Sequence, residues 1–407
     1  MKKHTQSPCE RSEISYKPSS IKWLGEIPKH WEVTKFKYFY RSNMGETILT
    51  QDLETDGIPV YSATEEDKFF GKIKNPVNIL NVNDFVIPAR GTIGAIKIVK
   101  EKSTCTQTTI FSKQFKDINP YYVYYFLLGY RKFLFEFIQT AIPQITISQV
   151  NENPIILPPL QEQKEIAEFL DSKCEKIQNY IDKKQNLITL LQEKKQALIN
   201  EVVTKGLNPN IEFKNSDIEY LGLIPHHWEV RRMKFMASIH NGREQTEIAD
   251  ENGIYPIYGS GGILGKSMYF IYDKPSVLLG RKGTIDKPLF VEEPFWTIDT
   301  MFYTSISKIV LPKYFYYLCL TIDFQFYISG SAIPSMTQYD LANISFALPP
   351  LQEQKQIANF LDEKCEKINS AIEKTKRQIE LIKEYKNTLI NEAVCGRINF
   401  LEGILNE

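Results

Sequence analysis

No stretch of the 407-residue chain is apolar over the length a bilayer crossing needs, and residues 1–18 are polar, without the apolar core of a secretion signal. The expected location is therefore cytoplasmic, with no membrane partner. Cysteine is sparse and scattered: Cys9, Cys105, Cys174, Cys319, Cys365 and Cys395 form no C-x-x-C pair and do not cluster with the five histidines. Zinc and disulfide frameworks both lose their footing. Charge of one sign is also missing, since 49 Lys and Arg balance 49 Asp and Glu. A lone DNA-binding protein usually carries a basic excess, so DNA binding here needs cations focused on one face or phosphate contacts supplied by partners.

Catalytic signatures are absent too. Methylation of an exocyclic amine calls for an N-P-P-Y-type loop, and the two L-P-P-L stretches are not that loop. The nearest approach to a phosphate-binding loop is Gly259–Ser267, GSGGILGKS, but Ser260 occupies the first glycine position. Residues 268–272, MYFIY, read as a strand where that motif requires a helix. The E-x-K triplets at Glu162–Lys164 and Glu193–Lys195 lack an acidic partner and suit a solvated helix face. His30, His226 and His227 have no metal-ligand spacing, which leaves structural hydrogen bonding. No cofactor and no metal are expected.

What the chain does have is a long helix written twice. LPPLQEQKEIAEFLDSKCEKI begins at Leu157 and LPPLQEQKQIANFLDEKCEKI at Leu348. Prolines stand before or in the first turn, where a missing N–H costs little, and Gly206 stops the first copy after about 45 residues. Apolar or small residues recur at Ile166, Leu170, Cys174, Ile177, Ile181, Ile188, Leu191, Leu198 and Val202, with Lys184 and Lys195 interrupting. That is a coiled-coil seam, and it repeats at Ile357, Leu361, Cys365, Ile368, Ile372, Ile379, Ile382, Leu389 and Ala393. Cys174 and Cys365 fall at equivalent seam positions, as small buried hydrophobes.

The repeat reaches beyond the helices. WLGEIPKHWEV at residues 23–33 returns as YLGLIPHHWEV at residues 220–230. IPVYSAT at 58–64 pairs with YPIYGSG at 255–261, and DFVIPARGTIGAIKIV at 84–99 with SVLLGRKGTIDKPLFV at 276–291. An aromatic, helix-like NPYYVYYFLL at 119–128 matches LPKYFYYLCL at 311–320, and TAIPQITISQV at 140–150 matches SAIPSMTQYDL at 331–341. The reading is α+β: two mixed α/β globular domains with β-branched and aromatic strands around glycine turns, each followed by a long helix. Its boundaries are a flexible leader at 1–20, a first globular domain at 21–156, a central helical spacer at 157–206, a second globular domain at 207–347, and a distal helical spacer with its tail at 348–407. The scaffold phrases agree while the loops between them diverge, most of all 44–56 against 241–252 and 65–70 against 262–264. Two copies of one frame thus hold two different surfaces, or else the loops have drifted without selection.

A helix of about 45 residues spans roughly 70 Å. Its apolar seam needs cover, and the copy is the nearest partner, which implies a pseudo-two-fold axis. If the ligand is duplex DNA, whose two-fold axes lie across its length, the antiparallel pair is the arrangement that matches. A 70 Å spacer would then cap the separation of two reading heads at roughly 20 base pairs.

The doubled W/Y-L-G-x-I-P-x-H-W-E-V signature, the R/K-G-T-I turns and the paired LPPLQEQ helices resemble the specificity subunit of type I restriction–modification systems. The resemblance runs over residues 21–398. It implies two target recognition domains, each reading one half of a split, asymmetric sequence in double-stranded DNA, separated by two helices in an antiparallel coiled coil. It also implies partners: two adenine-N6 methyltransferase subunits docked on the helical regions, and ATP-dependent translocating endonuclease subunits. The specificity subunit itself is then no enzyme. A coiled-coil interaction scaffold or silent specificity cassette without DNA binding is the alternative that zero net charge favours, and an enzyme in its own right is the third.

Base edges are read above all by Arg, Lys, Asn and Gln, while phosphate contacts fix register. The turns Arg90, Gly91, Thr92 and Arg281, Lys282, Gly283, Thr284 put charge and hydroxyls at strand ends beside a glycine, and because both halves share them they suit phosphate anchoring. Specificity belongs where the halves differ, at Tyr61, Ser62, Thr64 and Gln144 in the first domain and Tyr258, Ser260, Arg243 and Gln338 in the second. For partner docking the repeated Pro158, Pro159, Leu160, Gln161, Glu162, Gln163 and Pro349, Pro350, Leu351, Gln352, Glu353, Gln354 are the expected landmarks.

Overall fold

The structure is a computed structural model that describes residues 15–65, 68–136, 143–327 and 334–398. It divides into two units: residues 1–183 with 378–407, and residues 184–377. Each unit therefore holds one globular domain, part of the helix that follows it, and part of the helix from the other half.

In the first unit a four-stranded antiparallel sheet runs in the order β4 (Tyr40–Met44), β10 (Thr109–Gln114), β7 (Phe85–Pro88), β8 (Lys97–Ile98). A second sheet orders β6 (Phe69–Ile73), β5 (Ile58–Tyr61), β9 (Thr104–Cys105), with β5 and β9 parallel. Strand β7 is buried from end to end because both of its faces meet a core. Successive side chains point to opposite faces. Phe85 and Ile87 accordingly join the main cluster, while Val86 joins a smaller one with Tyr61, Leu80, Val99, Cys105 and Phe111. Two short ladders close the unit: β1 (Tyr16–Pro18) with β2 (Glu26–Pro28), and β3 (Glu32–Lys35) with β11 (Pro154–Leu157).

The aromatic segment forms α1 (Pro120–Gly129), with Pro120 in its first turn and the Asn119 side chain accepting from the N–H groups of Tyr121 and Tyr122. Short helices α2 (Arg131–Leu134) and α3 (Ile147–Glu152) follow, the latter started by a reciprocal Thr146 and Gln149 capping box. Then comes α4 (Leu160–Lys205).

The second unit repeats the plan. Its four-stranded sheet orders β15 (Ala237–Asn241), β21 (Met301–Ile306), β18 (Ser276–Gly280), β19 (Leu289–Val291), and its three-stranded sheet β17 (Gly262–Ser267), β16 (Tyr255–Gly259), β20 (Trp296–Thr297). The ladders are β12 (Phe213–Asn215) with β13 (Leu223–Pro225), and β14 (Glu229–Arg232) with β22 (Ser345–Leu348). Strand β18 splits its side chains as β7 does, Val277 and Leu279 to one core, Leu278 to the other. Helices α5 (Met233–Met236), α6 (Pro312–Cys319) and α7 (Gln338–Asn343) lead to α8 (Leu351–Val394).

In the first unit Ile166, Ala167, Leu170 and Cys174 of α4 share a core with Ile390, Ala393 and Val394 of α8. The second unit pairs Ile199, Val202 and Val203 of α4 with Ile357, Ala358, Leu361 and Cys365 of α8. Early residues of one helix meet late residues of the other in both units, which is the antiparallel layout. Lys195, a polar interruption of the seam, is accommodated by donating from Nζ to Asn369 Oδ1 at 2.9 Å.

Three sequence expectations shift. Leu157 and Leu348 end strands, so the long helices begin at Leu160 and Leu351, after the prolines. Residues 1–14 of the expected leader lie outside the described residues, whereas Tyr16–Pro18 is strand β1, tied to the far end of the chain by Tyr16 Oη donating to Gly396 O at 2.9 Å. The strand expected at 268–272 lies earlier, at Gly262–Ser267, where Tyr255–Gly259 offers it a pairing edge.

Candidate nucleic-acid interface

Both R/K-G-T-I turns hang from the same kind of frame. In the first unit the N–H groups of Ala89 and Arg90 donate to Thr108 O at 2.9 and 3.3 Å, and Ile145 N–H donates to Ala89 O at 3.0 Å. In the second, Arg281 and Lys282 N–H donate to Thr300 O at 2.9 and 3.3 Å, and Met336 N–H donates to Arg281 O at 3.0 Å. The glycine is obligatory in each, with φ of +72° at Gly91 and +81° at Gly283. Matching bonds put Arg281 where the first unit has Ala89, Lys282 where it has Arg90, and Ser335 where it has Gln144.

The first unit gathers most of its sequence candidates at one place. Arg90 is exposed and donates from Nε to Gln144 Oε1 at 3.0 Å, joining two residues far apart in the chain. Thr92 Oγ1 donates to Ala63 O at 3.0 Å, which draws the turn against Ser62 and Thr64. That second loop is fastened from below by a buried lysine. Lys97, 4% exposed, donates from Nζ to Ser62 O at 3.0 Å and to Thr64 Oγ1 at 2.9 Å. Lys97 escapes sequence reasoning, because a lysine inside a strand of aliphatic residues reads as an edge residue until its partners are known. Tyr61 is corrected: at 1% exposure its ring belongs to the smaller core, against Phe69 at 4.8 Å, and has no surface to offer a base.

In the second unit Arg281, Lys282 and Gln338 line one cleft of about 340 Å³ with Asn241, Ser335 and Thr337. Arg281 donates through a terminal nitrogen to Asp299 O at 3.3 Å, and Gln338 is anchored by its amide to Ile239 O at 3.1 Å. Asn241, Ser335 and Thr337 were missed, although Asn241 opens the divergent 241–252 stretch that supplied Arg243. Thr284 follows the turn, half-buried. Ser260 lies beside it, its Oγ only 3.1 Å from where a side chain at Gly283 would begin. Tyr258 is half-buried, edge-on to Phe295, and burial with the nearby Glu293 carboxylate pushes its phenol up. Arg243 is exposed, with its backbone tied to Thr297 O and to the Trp296 indole N–H.

The helix-start landmarks have internal partners. Glu162 accepts from Trp31 Nε1 at 2.8 Å and meets His30 Nε2 at 2.8 Å; Glu353 repeats this with Trp228 Nε1 at 3.0 Å and His227 Nε2 at 2.6 Å. Gln163 and Gln354, each 1% exposed, cap the aromatic helices by accepting from the N–H groups of Asn119 and Leu311. Their amides also donate to Pro158 O and Pro349 O, both at 2.8 Å. Pro159 O and Pro350 O accept the first helical N–H bonds. Leu160 and Leu351, by contrast, are 57% and 47% exposed.

Among the described residues no group of three His, Cys, Asp or Glu is placed to hold a metal ion, and no helix is long and apolar enough to cross a membrane. Burial pushes the thiols of Cys105, Cys174, Cys319, Cys365 and Cys395 up.

Comparison with known proteins adds to this geometry. The family model described as type I restriction modification DNA specificity domain matches residues 28–201 and 225–381. The type I restriction enzyme MjaVIII specificity subunit of Methanocaldococcus jannaschii is 26% identical over 429 residues, covering 94% of this chain and 97% of that protein. The putative MjaX specificity subunit from the same organism is 25% identical, covering 92% and 95%. A chain from a structural study of complex assembly and conformational transition in a type I R-M system superposes with a TM-score of 0.69 at 13% identity, covering 91% of this chain and 99% of that one.

Proposed function

The chain belongs to the type I restriction modification DNA specificity family, and from that premise we propose that each of its globular domains reads one half of a bipartite, asymmetric DNA site. The observation that carries this is one backbone frame holding two different sets of side chains. Arg90 with Gln144 stands in one unit, and Arg281 with Lys282 and Ser335 in the other. Arg bonds guanine bidentately and Gln bonds adenine, so such a pair on a glycine turn suits a groove edge. The proposed reading surface comprises Arg90, Gly91, Thr92, Ser62, Thr64 and Gln144 in the first domain. In the second it comprises Arg281, Lys282, Thr284, Tyr258, Ser260, Arg243 and Gln338.

The chain brings no catalysis of its own in this reading. Two adenine-N6 methyltransferase subunits dock on the helical regions, with Leu160 and Leu351 as the solvent-facing landmarks, and ATP-dependent translocase–endonuclease subunits join them in the cytoplasm. The test is single-molecule sequencing of host DNA after co-expression with the methyltransferase partner, against the partner alone. A split motif carrying N6-methyladenine only when this chain is present is the expected result. An assembled complex that leaves no new methylation would instead mark a DNA-silent scaffold, the reading that zero net charge favours. Native mass spectrometry should find two methyltransferase subunits per chain, and saturation at one would refute the paired docking sites.

A further inference from the structure

Each R/K-G-T-I turn hangs from the connection between two strands, and the outermost residue of that connection differs between the halves. Thr108 O and Thr300 O, which accept from the turns, lie between β9 and β10 in the first unit and between β20 and β21 in the second. The two connections match bond for bond. Thr106 N–H donates to Tyr61 O at 2.9 Å as Ile298 N–H does to Tyr258 O at 3.0 Å. Thr109 N–H closes back on Thr106 O at 2.9 Å as Met301 N–H does on Ile298 O at 3.1 Å. Gly45 and Gly242 seal the inner side of both, because a Cβ on either would overlap the carbonyl oxygen of Thr106 or of Ile298. On the outer side each connection carries one exposed residue between less exposed neighbours, Gln107 in the first unit and Asp299 in the second.

Three positions are thereby fixed around one backbone junction. Arg90 follows Ala89, Gln107 precedes Thr108 and Gln144 precedes Ile145, and those three neighbours are bonded to one another. The counterparts are Lys282, Asp299 and Ser335. The frame is kept while all three side chains change, as two readers of different sequences require.

The chemistry of Gln107 and Asp299 indicates what each meets. Thr47 Oγ1 donates to Gln107 Oε1 at 2.8 Å, which orients the amide and leaves its Nε2 hydrogens and a second oxygen lone pair for an edge that both accepts and donates. Adenine offers such an edge at N7 and N6. Asp299 stands near exposed Lys282 and Arg243, on a face proposed to meet phosphates, where an ionised carboxylate repels the DNA backbone. Internal charge pairing does not account for it: among the described residues its carboxylate has no ion-pair partner, and Arg281 reaches its backbone oxygen at 3.3 Å instead. An acceptor-only group is favourable there opposite a base amine, and in the major groove an acidic side chain accepts from cytosine N4.

We propose that this position reads a base in each half-site, Gln107 an adenine in the first and Asp299 a cytosine in the second. The proposal rests on the DNA-recognition reading above. Its test uses the full chain in complex with its methyltransferase partner and compares the parent with D299A and Q107A, by single-molecule sequencing of methylated DNA and by titration on duplexes. Both side chains are exposed, so both variants should melt with the parent. D299A should relax one position of one half-site and weaken binding to the parental motif about 5- to 150-fold, while duplexes lacking the motif bind no more weakly than before. Q107A should do the same at one position of the other half-site. A motif left unaltered by D299A or by Q107A would overturn the proposal, as would relaxation of the same half by both. So would a half-site without a G·C pair where D299A acts, or without an A·T pair where Q107A acts. Each of these results leaves the DNA-recognition reading intact, whereas a parent complex that methylates no split motif would overturn both.

Discussion

Replacing Glu162 by alanine separates an internal role of the helix-start glutamates from a docking role. The Trp31 indole N–H is buried with its ring, 1% exposed, and Glu162 Oε2 accepts from it at 2.8 Å. Alanine leaves that donor without an acceptor in a place water reaches poorly. A hydrogen bond to a charged group contributes about 1.5–3 kcal/mol, and the loss should fall in that range. For a folded unit of 150–250 residues, each kcal/mol moves Tm by roughly 2–4 °C. The first unit should therefore melt about 3–12 °C earlier. The second copy offers an internal replicate, because Glu353 holds Trp228 in the same way and Glu353→Ala should cost a similar amount. His30→Ala is the control: the histidine side chain is 53% exposed, and an exposed pair is worth about 0–1 kcal/mol. Glu162→Gln, which keeps an acceptor, should fall between. Differential scanning calorimetry of the isolated full chain, with tryptophan fluorescence as a second probe, reads these changes without any partner present. Should Glu162→Ala melt with the parent, or His30→Ala cost as much, the carboxylate–indole bond would not be what holds the opening signature to the helix.

Other consequences can be measured alongside. Gly206 and Gly396 end the long helices at φ of +76° and +69°, so alanine at either should cost about 1–2 kcal/mol, and more at Gly396, whose Cβ would lie 2.6 Å from Pro28 Cγ against 3.2 Å from Trp228 Cζ2 at Gly206; thermal melts decide. Arg90→Ala should lower the salt slope of DNA binding by about one if the residue anchors phosphate, whereas Gln144→Ala should relax one position of the motif at a cost of about 1–3 kcal/mol, both read by titration on the methylated sequence. Bonds from Lys35 and then Lys37 hold the Glu152 carboxyl down to about 2 from 4.5, so its stabilising effect is present above the ordinary value and lost as pH falls toward the folded one. Melts of Glu152→Gln against the parent should converge across that interval and stay apart above it. Burial lifts the Cys105 thiol to about 12, and the other four described cysteines are raised too; at pH 8 all five should resist iodoacetamide in the native chain, and prompt alkylation of any of them, located by mass spectrometry, would contradict the burial.

The sequence pattern conveyed the architecture through repetition rather than through any single motif. Ile166, Leu170, Ile357 and Leu361 recur at helical spacing, and all four are fully buried. What the spacing missed lies at the far ends. Ile199, Val203, Ile390, Val394 and Cys395 are buried but off the expected seam, because there each helix turns a wider face, packed both on the start of the other helix and on a globular core. The anchoring turns were legible because only glycine tolerates their φ. Residues around them were legible in part: Gln144 could be singled out by type, but its bond to Arg90 joins positions that local spacing does not relate. Tyr61 shows the opposite failure, an aromatic on a strand matched in both halves and buried on both faces, so its ring fills the smaller core. Glu162 and Gln163 repeat in both copies because their partners repeat, the Trp31 indole and the Asn119 N–H in one unit, the Trp228 indole and the Leu311 N–H in the other.

The last turns of α8 sit inside the core of the domain that the chain begins with. Ile390, Val394 and Cys395 pack there, Tyr130 Oη lies 2.7 Å from Cys395 Sγ, and Arg397 donates to Leu24 O at 3.0 Å. On the ribosome this reverses the usual order of completion. The second domain needs only the end of α4, made before it, and the start of α8, which follows it directly, whereas the first must wait for Ile390, roughly 220 positions after Leu170 of its own helix, on the order of 10–40 s at about 5–20 residues per second. Throughout that interval the nascent first domain carries an open apolar slot shaped for one particular helix end, and a chain cut short before Cys395 would carry it permanently.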